Sequence, residues 1–321
     1  MSNCKLNNMD SKLKISVVVA TYNRSDLLIE LIKSLDKQTL NKEEYEIIIA
    51  CDGCTDDTIE KLEFQSYYVP NLKWLDLAKG NPAKSRNAGI LEAKAPLIAF
   101  TDDDCLAETS WLETIIEAFE KKDTIGLQGK TTTDKKLVNP LTHQIENLKG
   151  HPSVPTCNAA FRRNILLKVG GFDEHFPFAH NEDADLSWRI RSEGKIDFVP
   201  EMVIIHPPRK VSFTKMLDRM KILESEFMLY HKNPELYKFW RNENPWKTIY
   251  TEVFLKHQLL IFKSRFKYVS RPILMIKGIM ISLIWWTDLL LKYPSFLKAD
   301  QFYKKKYSEL NLTTEESNLA A

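Results

Sequence analysis

An α/β fold, a Rossmann-like, mostly parallel mixed sheet with helices on both faces and a helical appendage behind it, follows from three features of the chain. Apolar runs of strand length alternate with helical periodicity through the first half. Polar and acidic residues gather where those runs end, and past residue 210 the strand-like runs give way to three long helix-like segments. With 321 residues, 44% hydrophobic and 27% charged, the chain can bury one large core plus an appendage and lacks the bias of a disordered polypeptide.

The elements follow in order. Ile15 to Ala20 is an almost unbroken β-branched run and predicts the first strand; Asp26 to Lys37 has helical periodicity; Glu46 to Ala50 is apolar again; Asp56 to Phe64 returns to helix. Asn71 to Leu77, Ala83 to Ala93, Leu97 to Phe100 and Trp111 to Lys121 continue the βαβα alternation. Such a pattern gives parallel strands with right-handed crossovers, and ligands then sit beyond the carboxyl ends of the strands. Thr21 to Arg24, Asp52 and the triplet Asp102-Asp103-Asp104 all fall at such ends. Gathered carboxylates are costly there unless they hold a cation, and a cation can in turn hold a diphosphate.

Composition narrows the function classes. The formal net charge of +2 gives no argument for a nucleic-acid surface. Five cysteines without repeated spacing, and a polar run from Met1 to Lys14 in place of an apolar signal core, lead to the expectation of a reducing cytoplasm. Cys51-x-x-Cys54 lacks two further zinc ligands and spans an Asp52-Gly53 turn, so it reads as incidental thiols. Neither a Gly-x-Gly-x-x-Gly after the first strand nor a Gly-Lys-Ser/Thr loop occurs, so phosphates must be handled by a carboxylate-held cation with Lys and Arg.

The segments Val17 to Arg24, Asp52 to Thr58, Ser85-Arg86-Asn87-Ala88-Gly89, Phe100 to Asp104, Gly170 to Glu174, Asn181 to Leu186 and His206 together resemble family 2 glycosyltransferases of the GT-A fold, over about residues 14 to 210. The resemblance implies an inverting transferase that moves a sugar from a nucleoside-diphosphate donor, expected to be a UDP-sugar, to an acceptor hydroxyl. It implies that Ala20, Thr21, Asn23 and Arg24 receive the nucleobase and ribose and that Asp52 bonds the base. A capped turn before the Asp26 helix is the competing explanation for Asn23.

The acidic triplet matches the family's Asp-x-Asp. Alternate residues of an extended segment share a face, so Asp102 and Asp104 should point together, Asp102 toward the ribose and Asp104 toward a Mn²⁺ or Mg²⁺ ion, with Asp103 counted among the donor contacts. His206, closing the apolar run from Met202, is implied as a second metal ligand. Lys84 and Arg86 match the segment that meets the diphosphate, and Pro82 suits the first turn of their helix. Asn158 is expected at the donor sugar or at solvent. Glu182 and Asp183 match the acid pair that supplies the general base, Asp183 being the base itself. Acids also favour a helix N-terminus, a bland role that can coexist with catalysis.

The division expected is a flexible N-terminus over 1–13, a catalytic domain over 14–210, helices over 211–309 and a polar tail over 310–321. Helix-like segments run Lys215 to Tyr230, Trp246 to Lys267 and Pro272 to Leu291; Lys277 and Asp288 interrupt the last, which therefore reads as a poor transmembrane span. Trp285-Trp286 and the basic residues between 265 and 306 suit either a peripheral membrane contact over 270–306, serving a lipid-linked saccharide acceptor at the inner face of the membrane, or a buried helix. A sugar nucleotidyltransferase and a non-catalytic nucleotide- or sugar-binding scaffold are the alternative functions.

Overall fold

The computed structural model describes residues 12–212 and 219–319, with side chains as far as Leu310. The expected flexible N-terminus and Cys4 therefore lie almost wholly outside the described residues, as do residues 215–218 of the helix expected from Lys215. Contacts divide the chain into two units. The first takes the residues up to Thr133, Ile145–Glu174 and Glu182–Pro207; the second takes Asp134–Gln144, His175–Asn181 and Pro208 onward.

The first unit is an eight-stranded mixed sheet. Its strands are β1 (Ile15–Thr21), β2 (Tyr45–Asp52), β3 (Leu72–Leu77), β4 (Leu97–Phe100), β5 (Leu106–Ala107), β6 (Gly126–Thr132), β8 (Ala159–Arg162) and β9 (Ile196–Ile205). They lie in the order β3-β2-β1-β4-β8-β6-β9-β5. β1, β2, β3 and β4 are mutually parallel where they pair, as is β6 with β9, whereas β8 runs antiparallel to both its neighbours and β5 to β9.

Because successive strand residues face opposite sides, β1 feeds two cores. Val17 and Val19 join Leu28, Leu31, Ile32 and Leu35 of α1 (Ser25–Asp36) and Trp111, Leu112, Ile115 and Phe119 of α4 (Trp111–Lys121). Val18 joins Ile90 of α3 (Pro82–Glu92), Leu166 of α5 (Arg163–Lys168) and Leu186 and Ile190 of α6 (Glu182–Arg191). Helices thus cover both faces. Gly89 of α3 lies so close to the sheet that a Cβ there would sit 2.4 Å from Val18 Cγ1. One acid escapes the apolar reading of β2: Glu46 is buried, accepting from Ser16 Oγ at 2.7 Å and pairing with Lys73 Nζ at 2.8 Å.

Several boundaries differ from the periodicity for local reasons. The expected Asp56 to Phe64 helix begins at Thr58 and is α2 (Thr58–Ser66), because Asp56 Oδ1 accepts from both the amide and the hydroxyl of Thr58 and holds a turn. Before β8, Thr156–Asn158 forms a 3₁₀ turn.

In the second unit β7 (Thr142–His143) pairs antiparallel with β10 (Arg209–Lys210), which accounts for residues 134–144 grouping here instead of with the catalytic span 14–210. Its helices are α7 (Ser225–Lys232), α8 (Pro234–Trp240), α9 (Gln258–Arg265), α10 (Pro272–Leu291) and α11 (Tyr293–Leu319). The helix expected over Trp246 to Lys267 is continuous but changes its hydrogen bonding along the way: an α-helical turn at Pro245–Lys247 passes into a π-helical stretch, Thr248–His257, then into α9 and a 3₁₀ turn at Phe266–Tyr268. Phe227 packs edge-on against Trp246 and tilted against Phe296, and Trp246 Nε1 donates to Asp300 Oδ2 at 2.9 Å. The backbone of α11 continues to Leu319 through most of the expected polar tail.

In α10 an 18-residue window has a mean hydropathy of 1.7 with 28% of its residues buried, so by length and composition alone the helix could cross a membrane, with Lys277 and Asp288 interrupting its apolar run.

Candidate active site

The carboxyl ends of β1, β2 and β4 bring the acidic triplet and the polar loops together. Thr21, the last residue of β1, donates from Oγ1 to Asp103 Oδ2 at 2.8 Å, and Arg24 Nη1 reaches Asp103 Oδ1 at 2.8 Å and Asp104 Oδ2 at 3.6 Å. Burial pushes the Asp103 carboxyl up while Arg24 pulls it back. This amends the donor-contact expectation: Asp103 is 3% exposed and spends its oxygens fastening the β1 loop to the triplet, and Thr21 and Arg24 are its partners.

Asn23 is likewise occupied. At φ 51° it donates to Thr55 Oγ1 at 3.0 Å and accepts from the Thr55 amide at 2.8 Å, tying the loops after β1 and β2 together. It does not cap α1, whose N-terminus has no side-chain cap. Ala20 is half-buried within β1 and offers only backbone. Asp52 ends β2 and accepts from the Gly80 amide at 2.7 Å, with Lys79 Nζ 3.8 Å away. Lys79 also sits over the half-exposed Tyr22 ring, 2.7 Å from its centroid, a pair the motif reading passed over.

α3 opens as its sequence requires. Asn81 caps it by accepting from the Lys84 amide at 2.9 Å, and Pro82 takes the first position. Lys84 is exposed. Arg86, expected at the diphosphate, is 8% exposed and forked between Asp102 Oδ1 and Glu182 Oε1, each at 3.1 Å. Burial alone would lower the guanidinium; Asp102, Glu182 and Asp183 outweigh it and raise it. Burial pushes the Glu182 carboxyl up against Arg86's pull. Arg86 therefore braces the triplet against the start of α6, and Glu182 is part of that brace.

Asp183 is the residue of α6's opening acids that reaches solvent, while Glu182 and Asp185 are buried. It stands close enough to Arg86 and to the Cys157 thiol to act on both electrostatically. Asp185 is held by Arg189, which also donates to the carbonyls of Val169 and Gly171.

Asn158 does not face solvent. It is 1% exposed, accepts from Trp111 Nε1 at 2.9 Å and donates to the carbonyls of Lys130 and Met202 at 3.0 and 2.9 Å. Its amide is held on both sides by the fold. Asn87 was missed as a functional position although Ser85 to Gly89 was singled out: its amide bonds the Phe172 backbone both ways at 2.8 Å and Glu174 Oε1 at 2.8 Å. Gly171, at φ 65°, must be glycine there, since a Cβ would meet Asn87 Oδ1 at 2.5 Å.

Asp104 and His206 come together as expected, Oδ1 to Nε2 at 3.5 Å, both buried. With Cys105 they form a group whose potential ligand atoms all lie within 4.8 Å of one another. A carboxylate oxygen and an imidazole nitrogen fit Mn²⁺, and the carboxylate alone fits Mg²⁺. Burial pushes the Cys105 thiol well up, and its soft sulfur is a poor partner for either hard ion.

A sheet switching from parallel to antiparallel beside a crevice of acids is the architecture of GT-A glycosyltransferases, enzymes that draw on nucleotide sugars. The glycosyl transferase family 2 profile matches residues 16–179, and the chain belongs to that family. Among curated relatives, glycosyltransferase AglE of Haloferax volcanii is 24% identical over 209 residues, covering 61% of this chain and 67% of its own. The chain spans about half the length, 52% and 48%, of the next curated relatives it matches. S. aureus TarS 1-349 in complex with UDP-GlcNAc superposes with a TM-score of 0.54 at 16% identity over 92% of both chains. The mannosyltransferase PcManGT from Pyrobaculum calidifontis, in complex with GDP-Man and Mn²⁺, gives 0.56 at 16% identity over 93% of this chain and 87% of that one.

Proposed function

We propose that this chain is a metal-dependent inverting glycosyltransferase that moves a sugar from a UDP-sugar to an acceptor hydroxyl. The observation that carries the reading is the arrangement around Arg86, which links the Asp102 carboxylate to Glu182 and so fixes Asp183 beside the acidic triplet. Asp104 and His206 would hold a divalent cation, whose charge would stabilise the departing diphosphate. Asp183 takes the proton of the acceptor hydroxyl as its oxygen attacks the anomeric carbon from the side opposite the leaving group, which inverts that centre. Asp52 and the β1 loop hold the nucleoside. The UDP complex of the TarS neighbour and the Mn²⁺ complex of PcManGT support the choice of donor and ion.

The test is a thermal-shift screen of nucleotide sugars with Mn²⁺ and with EDTA. A UDP-sugar at 100 times its Kd should add about 2.7 kcal/mol of stability in Mn²⁺, and chelation should remove it. His206→Ala should bring the Mn²⁺ sample down to the EDTA level. Metal-free stabilisation by a nucleoside triphosphate alone would favour the nucleotidyltransferase, and donor binding without turnover on any acceptor would favour the scaffold.

We place the enzyme at the cytoplasmic face of a membrane, on a saccharide or lipid-linked saccharide acceptor in surface polysaccharide or glycolipid assembly. The support is α10, where Ile273, Ile276, Met280, Leu283, Leu290 and Leu291 are each 49% exposed or more. Flotation should carry the purified protein up with vesicles containing an anionic lipid, and an Ile276→Glu, Leu283→Glu variant should stay at the bottom. Wild-type protein left at the bottom with every vesicle would remove the membrane reading.

A further inference from the structure

The second unit encloses a cavity of about 640 Å³ whose lining belongs to that unit throughout. Its wall is strongly asymmetric in charge. Arg219, Arg241, Arg265 and Lys267 face it, and Glu226 is the acid among its lining residues. Glu226 is already satisfied: Oε1 is 2.6 Å from Arg241 Nη1 and accepts from Asn181 Nδ2 at 3.0 Å, and Oε2 accepts from Tyr237 at 2.8 Å.

Arg219 and Arg265 remain. Among the described residues neither has a carboxylate within ion-pair distance, and the polar partner of Arg265 is the Ser282 hydroxyl, 3.4 Å from Nε, although Arg265 is only 9% exposed. Burial pulls both guanidinium groups down, and Arg209 adds to the effect on Arg219. Burial pushes His180 in the wall down to about 4, so it adds no further positive charge at neutral pH. Withdrawing a cation from water without a counter-charge costs several kcal/mol. The rest of the lining mixes polar side chains such as Asn139, Gln144 and Gln258 with the apolar Met220, Leu223, Val253, Ile261 and Trp285, and the apolar part strengthens any attraction that forms beside it.

We propose that this cavity is a binding site for a phosphate ester, whose oxygens Arg219 and Arg265 receive while the apolar wall takes the carbon attached to the phosphate. Guanidinium forks match phosphate oxygens in pairs, and Lys267, exposed at the rim, adds a point charge at the entrance. The site stands on the charges of the second unit and not on the sugar-transfer reading. The ester is either a soluble phosphorylated molecule or the headgroup of a phospholipid.

The experiment uses the full chain in EDTA, which silences a metal-dependent donor site. Calorimetric titration with glycerol 3-phosphate and with inorganic phosphate probes the soluble source; co-sedimentation with phosphatidylcholine vesicles, with and without phosphatidic acid, probes the lipid source. Saturable binding is expected in at least one arm, and the arm that binds names the source. Arg219→Gln and Arg265→Gln should each weaken it roughly tenfold or more. Should either fail to fold, Lys267→Glu, a change at an exposed position, should still weaken it by about two- to fivefold. Absence of binding in every arm, or wild-type affinity in the folded variants, would overturn the site.

Discussion

Asp183→Asn should lower kcat by about 10²- to 10⁴-fold while leaving the KM for donor and the melting temperature near wild type. The asymmetry follows from where the side chain stands. Asp183 reaches solvent and the fork of Arg86 closes on Asp102 and Glu182, so an amide of the same shape removes the capacity to accept a proton and one charge that acts on Arg86, while the two ion pairs of the brace stay in place. Glu182→Gln, one residue earlier, should behave oppositely: it weakens the grip on Arg86 and should cost stability before chemistry. Steady-state kinetics paired with thermal melts would separate them, and a kcat for Asp183→Asn within a few-fold of wild type would move the base elsewhere.

Arg86→Met should destabilise the protein by about 3–5 kcal/mol. The substitution leaves Glu182 buried without its cation and removes the link from Asp102 to α6, so two carboxylates repel across the gap. Pairing it with Glu182→Gln should recover much of the loss, because an uncharged pair of similar volume carries no unpaired buried charge. Urea titrations of the two single variants and the double variant form the cycle that reads the coupling. A single variant as stable as wild type would show that the brace contributes nothing, and Arg86 would return to the diphosphate role that its motif suggests.

The contrast between these residues shows what the sequence could and could not convey. Strand and helix bounds were legible wherever apolar periodicity met a sharp stop: Leu97–Phe100, Trp111–Lys121 and Pro272–Leu291 fall where the pattern puts them. The pairing of Asp104 with His206 was legible through the motifs, since both close strand-like runs at one sheet edge. What failed was partner assignment inside the acidic triplet. A two-residue period says that Asp102 and Asp104 share a face, but not that Thr21 and Arg24 claim Asp103, because that depends on the parallel register of β1 with β4. The partners of Asn158 were hidden for the same reason: one amide in an apolar stretch looks exposed until Trp111 Nε1 and two carbonyls are found against it. The π-helical stretch was invisible because its residues keep helix-like composition.

Gly89 touches no group assigned to binding or catalysis, yet it lies one helical turn from Arg86 on the same face-to-sheet contact. Any larger residue must lever α3 away from Val18, carrying the guanidinium off both carboxylates at once. A random-mutagenesis selection for lost transfer should therefore recover alleles at this glycine alongside those at Asp183, and sorting the survivors by solubility should tell the two kinds apart, because only the glycine alleles also lose the brace.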